Sequence, residues 1–203
     1  MDDRIRVVAI TGTYRKGGII DKAVDEILAS AREGGAEAIK IYLIDKQIEF
    51  CRNCRTCTQE KGERRGQCCI LDDMGGILEQ IGHADAIVLA SPVNFGTVTA
   101  VMKRFIERLI CFSYWPWGAN APKPRSNRKD KRAVVVVSSA APSFLARLST
   151  SVVALLKTSA SLLGARTVGV LFIGLAAKQS TRDLGEKTRE KAHRLGKELI
   201  DRQ

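Results

Sequence analysis

A chain of 203 residues that is 45% hydrophobic and 27% charged carries enough apolar material for one sizeable core, and its composition is neither disordered nor fibrous. The formal net charge is +11. Its positive residues are spread over 61–65, 123–132 and 182–197, and the last run alternates with Glu186, Glu190 and Glu198 at helical spacing. That pattern argues for solvated helix faces and anionic small partners, and against nucleic acid as a partner. No run of 18 apolar residues occurs, and Met1-Asp2-Asp3-Arg4 leads straight into a strand-like segment. The expectation is a soluble, cytoplasmic protein with no membrane partner.

Residues 5–10 (IRVVAI) read as a buried strand. A Gly-rich, basic turn at 11–18 precedes a helix over 19–33, where Ile20, Ala23, Val24, Ile27, Leu28 and Ala31 recur at helical spacing. Gly34 and Gly35 stop it. A second strand covers 38–44. A cysteine-rich loop, 46–73, then leads into a helix over 74–82. The third strand, 86–90, is followed by a loop at 91–97 and a helix over 98–110. Residues 112–131 hold Pro116, Pro122 and Pro124 and show little periodicity, so they read as a long loop or lid. A fourth strand at 133–138 (AVVVVS), a helix over 148–163, a fifth strand at 167–173 and a terminal helix over 182–202 complete the chain.

Strands alternating with helices imply right-handed crossovers and a parallel sheet covered on both faces. The expected fold is a single α/β domain, a flavodoxin-like doubly wound five-stranded parallel sheet of order 2-1-3-4-5. Ligands of such sheets bind outside the carboxyl ends of the strands, beside the point where the strand order reverses. Three loops leave those ends: 11–18, 91–97 and 138–143.

The first is Thr11-Gly-Thr-Tyr-Arg-Lys-Gly-Gly18. Its glycines let backbone amides turn toward an anion, and the start of the following helix adds unpaired N–H groups. The Thr13 hydroxyl can donate and Arg15 can pair with phosphate oxygens. It is neither a Walker loop nor a GxGxxG fingerprint, and by itself it reads equally well as a plain Gly-rich turn. The second, Ser91-Pro-Val-Asn-Phe-Gly-Thr97, offers a stiffening Pro92, the donor and acceptor of Asn94, the aromatic surface of Phe95 and the close approach that Gly96 allows. The third supplies small residues, Ser139 among them, which suit either packing or close ligand approach.

Together these segments resemble the NADPH-dependent FMN reductase family. Gly-Thr-x-Arg-x-x-Gly is similar to the family's Gly-Ser-x-Arg-x-x-Gly loop, which holds the FMN phosphate; Thr13 stands for the serine and Arg15 for the arginine. Where the family often has small hydroxyl residues this chain has Ile19 and Ile20, which leaves backbone contacts there. Residues 91–96 resemble the family's Ser-Pro-x-Tyr-x-Gly loop around the isoalloxazine ring, with Asn94 in the tyrosine's place. Met102-Lys-Arg-Phe-Ile-Glu-Arg108 is similar to its Lys-x-Phe-x-Asp-Arg helix, and Gly164-Ala165 to its Gly-Ala before the last strand. The resemblance implies FMN contacts at Thr11, Thr13, Arg15, Gly17, Gly18, Ile19, Ile20, Ser91, Pro92, Val93, Asn94, Phe95, Gly96 and Ser139.

Five of the six cysteines fall within residues 51–69. Clustered cysteines in a cytoplasmic chain suggest a metal or redox site rather than a disulfide frame. Cys51, Cys54 and Cys57 form Cys-x2-Cys-x2-Cys, with Cys68 following after ten intervening residues and Cys69 beside it. Thiolates so spaced wrap one side of an iron–sulfur cube, and Arg52, Arg55, Arg64 and Arg65 favour thiolates. The motif, followed by Asp72-Asp73-Met74, resembles that of iron–sulfur flavoproteins. The resemblance implies a [4Fe-4S] cluster on Cys51, Cys54, Cys57 and Cys68, with Cys69 as the rival fourth ligand. Structural zinc and free or disulfide-forming thiols remain open alternatives. Cys111, at a helix end, reads as a small buried hydrophobe, and Trp115-Pro-Trp117 as a lid, a subunit contact or a packed loop.

The function implied is an FMN-dependent NAD(P)H oxidoreductase passing electrons to a small-molecule or protein acceptor, in a homodimer or homotetramer. The flavin carries the chemistry, and no side chain is assigned as an acid or base. The alternatives are an iron–sulfur flavoprotein electron carrier that does not use nicotinamide directly and, in another class, a zinc-stabilised binding module.

Overall fold

The structure, a computed structural model, describes residues 4–176 and 183–201, leaving out the side chains of 147 and 148. Five parallel strands form its main sheet: β1 (Arg6–Thr11), β2 (Glu37–Tyr42), β3 (Ala86–Pro92), β4 (Lys131–Ser138) and β5 (Ala165–Ile173). Their order is 2-1-3-4-5, as the alternation of the sequence predicts. The chain order reverses between β1 and β3, which makes their carboxyl ends the switch point.

The near-continuous apolar runs follow from burial on both faces. Val7, Ala9, Val88 and Val134 face α1 (Ile19–Glu33) and α6 (Glu186–Ile200), against Ile20, Val24, Ile27, Leu195 and Leu199. Val8, Ile10, Leu89 and Val135 face the opposite layer, built from α2 (Met74–His83), α3 (Ala100–Arg108) and α5 (Val152–Leu162), with Met74, Ile81, Phe105 and Leu156 at its centre. Among the described residues no helix is long and apolar enough to cross a membrane.

Several boundaries differ from the sequence expectation. β2 stops at Tyr42 because Leu43–Asp45 tightens into a 3₁₀ turn. β3 runs on to Pro92, a strand-end position where a missing N–H costs little. The helix expected over 148–163 is two, α4 (Ser143–Ser149) and α5. At the break the hydroxyls of Ser149 and Thr150 donate to the carbonyls of Leu145 and Ala146, the competition with backbone pairing that makes such residues helix breakers. The terminal helix begins at Glu186; positions 182 and 202 of the expected helix lie outside the described residues. The loop at 112–131 contains a two-stranded hairpin, Ser113–Tyr114 against Lys123–Pro124.

Candidate functional site

The first loop is shaped by its own hydroxyls. Thr11, buried at the end of β1, accepts from the Thr13 amide at 3.5 Å, and the Thr13 hydroxyl accepts from the Arg15 amide at 3.2 Å. Tyr14, Arg15 and Lys16 are exposed at the tip. Gly17 adopts φ 73°, and its amide donates to the Asp21 carboxylate at 2.6 Å. Asp21 is buried and is also held by Lys40 Nζ at 2.5 Å and the Tyr42 hydroxyl at 2.7 Å. Burial works to raise its pKa, but the bonds from Lys40, Gly17 and Tyr42 outweigh it, so the carboxyl is held below the usual range. α1 starts after Gly18 with no side-chain cap. The amides of Ile19 and Ile20, in its first turn, have no acceptor within the helix and sit at its positive end.

The second loop is a tight turn. Asn94 and Thr97 exchange backbone bonds of 2.8 and 3.0 Å, and Phe95 and Gly96 between them take φ 47° and 76°. Two consecutive left-handed residues are a primed turn, a conformation that suits glycine and taxes phenylalanine. The Phe95 ring stands fully exposed at the tip. Ser91 turns inward: its hydroxyl accepts from the Thr99 amide at 3.2 Å and donates to the Pro92 carbonyl at 3.0 Å. Val93 packs on the core and its amide donates to the Ser138 carbonyl at 2.7 Å. Ser139 is likewise buried, accepting from the Ala141 amide at 3.0 Å. Ser91, Val93 and Ser139 therefore present backbone rather than side chain toward this end of the sheet.

Thr99 joins the two loops. It caps α3, accepting from the Met102 amide at 3.4 Å, and its hydroxyl donates to the Gly12 carbonyl at 2.7 Å. Gly12 leaves no room for a side chain, since a Cβ there would lie 2.7 Å from Met102 Cβ and 2.9 Å from Thr99 Oγ1. Thr99 was not among the expected site residues, although a threonine opening an amphipathic helix is a capping signal.

The cysteine segment leaves the carboxyl end of β2 and contains little regular backbone, a 3₁₀ turn at Thr56–Thr58. Arginines hold it. The Arg108 guanidinium, buried in α3, pairs with Asp72 at 2.6 Å, donates to the Glu49 carbonyl at 2.9 Å and touches Cys68 Sγ at 3.6 Å. Arg125 donates to the carbonyls of Cys57, Glu60, Gly62 and Cys111. Arg55 lies between Trp115 and Trp117, 3.9 and 4.3 Å from their ring centroids, and donates to the carbonyls of Trp115 and Pro116. The Trp-Pro-Trp segment thus closes over the cysteine segment.

Burial pushes the Cys57 thiol up to about 11, and the neighbouring Cys68, Cys51 and Cys54 add to the effect. Cys57 is therefore within electrostatic reach of the other three expected ligands. Cys54 is lowered by the hydroxyl and amide of Thr56. A cavity of about 460 Å³ is lined by Arg64, Arg65, Cys68, Asp72, Arg108 and Cys111. Cys111 is buried as expected, and burial pushes it up to about 12, but it also shares this cavity wall with Cys68. Among the described residues no group of three or more His, Cys, Asp or Glu side chains is placed to hold a metal ion, so support for an iron–sulfur cluster rests on the chemistry of the residues. The donor set, thiols flanked by guanidinium groups, fits such a cluster. His193 faces Glu26 and Glu33, away from these sites.

A five-stranded parallel sheet of order 2-1-3-4-5, with its shaped loops at the switch point, defines a flavodoxin-like protein. Residues 5–179 match the model of the NADPH-dependent FMN reductase family, and the chain belongs to that family. It is 35% identical over 112 residues to an iron–sulfur flavoprotein of Archaeoglobus fulgidus, covering 55% of this chain and 49% of the relative. It is 38% identical over 104 residues to an iron–sulfur flavoprotein of Methanocaldococcus jannaschii, covering 51% of each. The match thus spans about half the length of these curated relatives. An FMN-dependent NADH-azoreductase from Bacillus anthracis, solved in complex with FMN, shares the fold, with a TM-score of 0.71 at 12% identity over 97% of this chain and 100% of that one.

Proposed function

We propose that this chain is an FMN-dependent oxidoreductase that takes electrons from NADH or NADPH and delivers them to a small-molecule or protein acceptor through a [4Fe-4S] cluster. The observation that carries the reading is the Thr99 clasp, which ties the Gly-rich loop after β1 to the turn after β3 at the switch point of an FMN reductase fold. Bound FMN would supply hydride acceptance and one-electron transfer at that point, and the cluster a one-electron relay.

The chain's part is to bind and orient. The uncapped start of α1 and Arg15 would meet the phosphate, and the Thr13 hydroxyl, bonded to the Arg15 amide and carbonyl, shapes the loop around it. The rigid 92–97 turn meets the ring edge with Asn94 and backbone amides. Cys51, Cys54, Cys57 and Cys68 hold the cluster. Cys68 is assigned over Cys69 because it lines the cavity, touches Arg108 and acts on Cys57, whereas Cys69 faces solvent beside Cys54. Arg108, Arg64 and Arg65 offset the cluster's negative charge.

The test is an absorption spectrum of protein purified without oxygen, with FMN, iron and sulfide quantified and NADH and NADPH then added. Flavin bands, four irons per chain and bleaching by nicotinamide are expected. Bleaching only by a protein donor would favour an electron carrier that bypasses nicotinamide. Absence of flavin, even after FMN is added, would refute the reading.

A further inference from the structure

Cys69 is the thiol that the cluster leaves over, and it is not isolated. Its Sγ lies 3.7 Å from Cys54 Sγ, a sulfur-to-sulfur contact that no other cysteine pair among the described residues makes. The other expected ligands face different partners: Cys51 lies against Asn53, Cys57 is buried, and Cys68 lies against Arg108. Cys54 and Cys69 are both exposed, so an oxidant in solution reaches them. The Thr56 hydroxyl, 3.4 Å away, donates to Cys54 Sγ. Neither cysteine lies in a helix or strand, so closing the gap to a bond of about 2.05 Å disturbs no regular hydrogen-bond ladder.

We propose that Cys54 and Cys69 form a reversible disulfide that withholds Cys54 from cluster assembly. With peroxide as oxidant, the Cys54 sulfur attacks the O–O bond, giving a sulfenic acid and one water. The Cys69 sulfur then attacks that sulfur; the S–S bond forms, the S–O bond breaks and a second water leaves. Two thiols and one peroxide become one disulfide and two waters. A dithiol reductant restores both thiols by exchange. Cys69 thereby keeps Cys54 from irreversible oxidation while iron is absent. Only the consequence for iron rests on the ligand set proposed above; the disulfide does not.

The experiment uses the full chain, freed of iron by a chelator without oxygen, treated with one equivalent of hydrogen peroxide, alkylated and digested with trypsin without reduction. Cuts after Arg52, Arg55 and Lys61 put Cys51, Cys54 and Cys57 on separate peptides, and fragmentation separates Cys68 from Cys69. The expected result is a Cys54–Cys69 link several-fold above any other pair, with iron uptake lost until dithiothreitol is added. C69S, checked for folding by its FMN content, should load iron without oxygen like the parent chain. Given two or more equivalents of peroxide, the second oxidising the sulfenic acid, it should accumulate sulfinic acid at Cys54 and stay unloadable. A different dominant link would overturn the proposal, and so would failure of untreated C69S to load iron, which would make Cys69 a ligand. A parent chain that takes up no iron before oxidation would sink the cluster reading while leaving the peptide map as the test of the disulfide.

Discussion

The cofactor loops and the cysteine segment are held by opposite means. Loops 11–18 and 91–99 hang from adjacent strands whose register fixes them, and they are finished by bonds between neighbouring residues and by a few long-range ones, Thr99 to Gly12, Gly12 to Ala90 and Val93 to Ser138 among them. The cysteine segment has little backbone pairing of its own. Guanidinium groups from sequence separations of 36 to 68 grip its carbonyls and Asp72. Backbone crowding should therefore damage the first region, and loss of a single arginine the second.

The largest effect is expected at Arg108. Arg108→Met removes one partner of a pair whose side chains are 3% and 6% exposed, leaving Asp72 buried and unpaired. The expected cost is about 3–5 kcal/mol by denaturant unfolding, together with loss of bound iron. Asp72 supplies a pH signature as well. Its burial works to raise the pKa, but Arg108 and the amides of Glu49 and Met74 outweigh that, and the carboxyl is held below the usual range. A depressed folded pKa gives stability that is fully present above the unfolded value of about 3.9 and is lost as pH falls through the folded one. The acid limb of the parent's stability below about pH 4 should be shallower in the variant; an unchanged limb would remove Asp72 from the account.

Next is Gly12→Ala, which drives a methyl into Met102 and Thr99. Overpacking of this kind costs about 1–3 kcal/mol, and FMN titration should show weakened affinity with iron content unaltered. Loss of iron alongside FMN would show that the two regions are not separable. Thr99→Val removes the α3 cap and the bond to Gly12 while keeping the shape; about 1 kcal/mol and a several-fold weaker FMN are expected. The smallest effect on bound FMN is expected of Arg55→Ala, which is read through its tryptophans. Each ring contact is worth about 0.5–1 kcal/mol, and the chain's two tryptophans are the pair that sandwiches Arg55. Intrinsic fluorescence should shift to the red, and a static spectrum would argue that the sandwich does not persist in solution.

The same contrast decides what the sequence made legible. Apolar runs and helical spacing locate the five strands and the main helices because burial on both faces of a sheet leaves that imprint. The Gly-rich loop and the 91–96 turn are legible through their glycines and place at strand ends. The inward hydroxyls of Ser91 and Ser139 are not, since a serine facing the core and one facing a ligand look alike. Nor are Asp21 and Lys40, which meet only when α1 packs beside β2. The arginine grips on 46–73 have no local signature at all: nothing near Arg125 names Cys57, and nothing near Arg55 names Trp117. Trp115-Pro-Trp117 reads from the sequence as a lid, a subunit contact or a packed loop, and its place against Arg55 is set by that long-range pairing.

Arg125 has a consequence for what happens when this chain is cut. Lys61, Arg64 and Arg65 are exposed on irregular backbone, the kind of place where proteases nick folded chains. Arg125 lies beyond any such cut in sequence, yet it clasps the carbonyls of Cys57 and Glu60 on the near side of it. The two fragments would stay joined by that one side chain, the Arg55 sandwich and the shared sheet. A nicked molecule would keep its cysteines assembled and would separate only on denaturation.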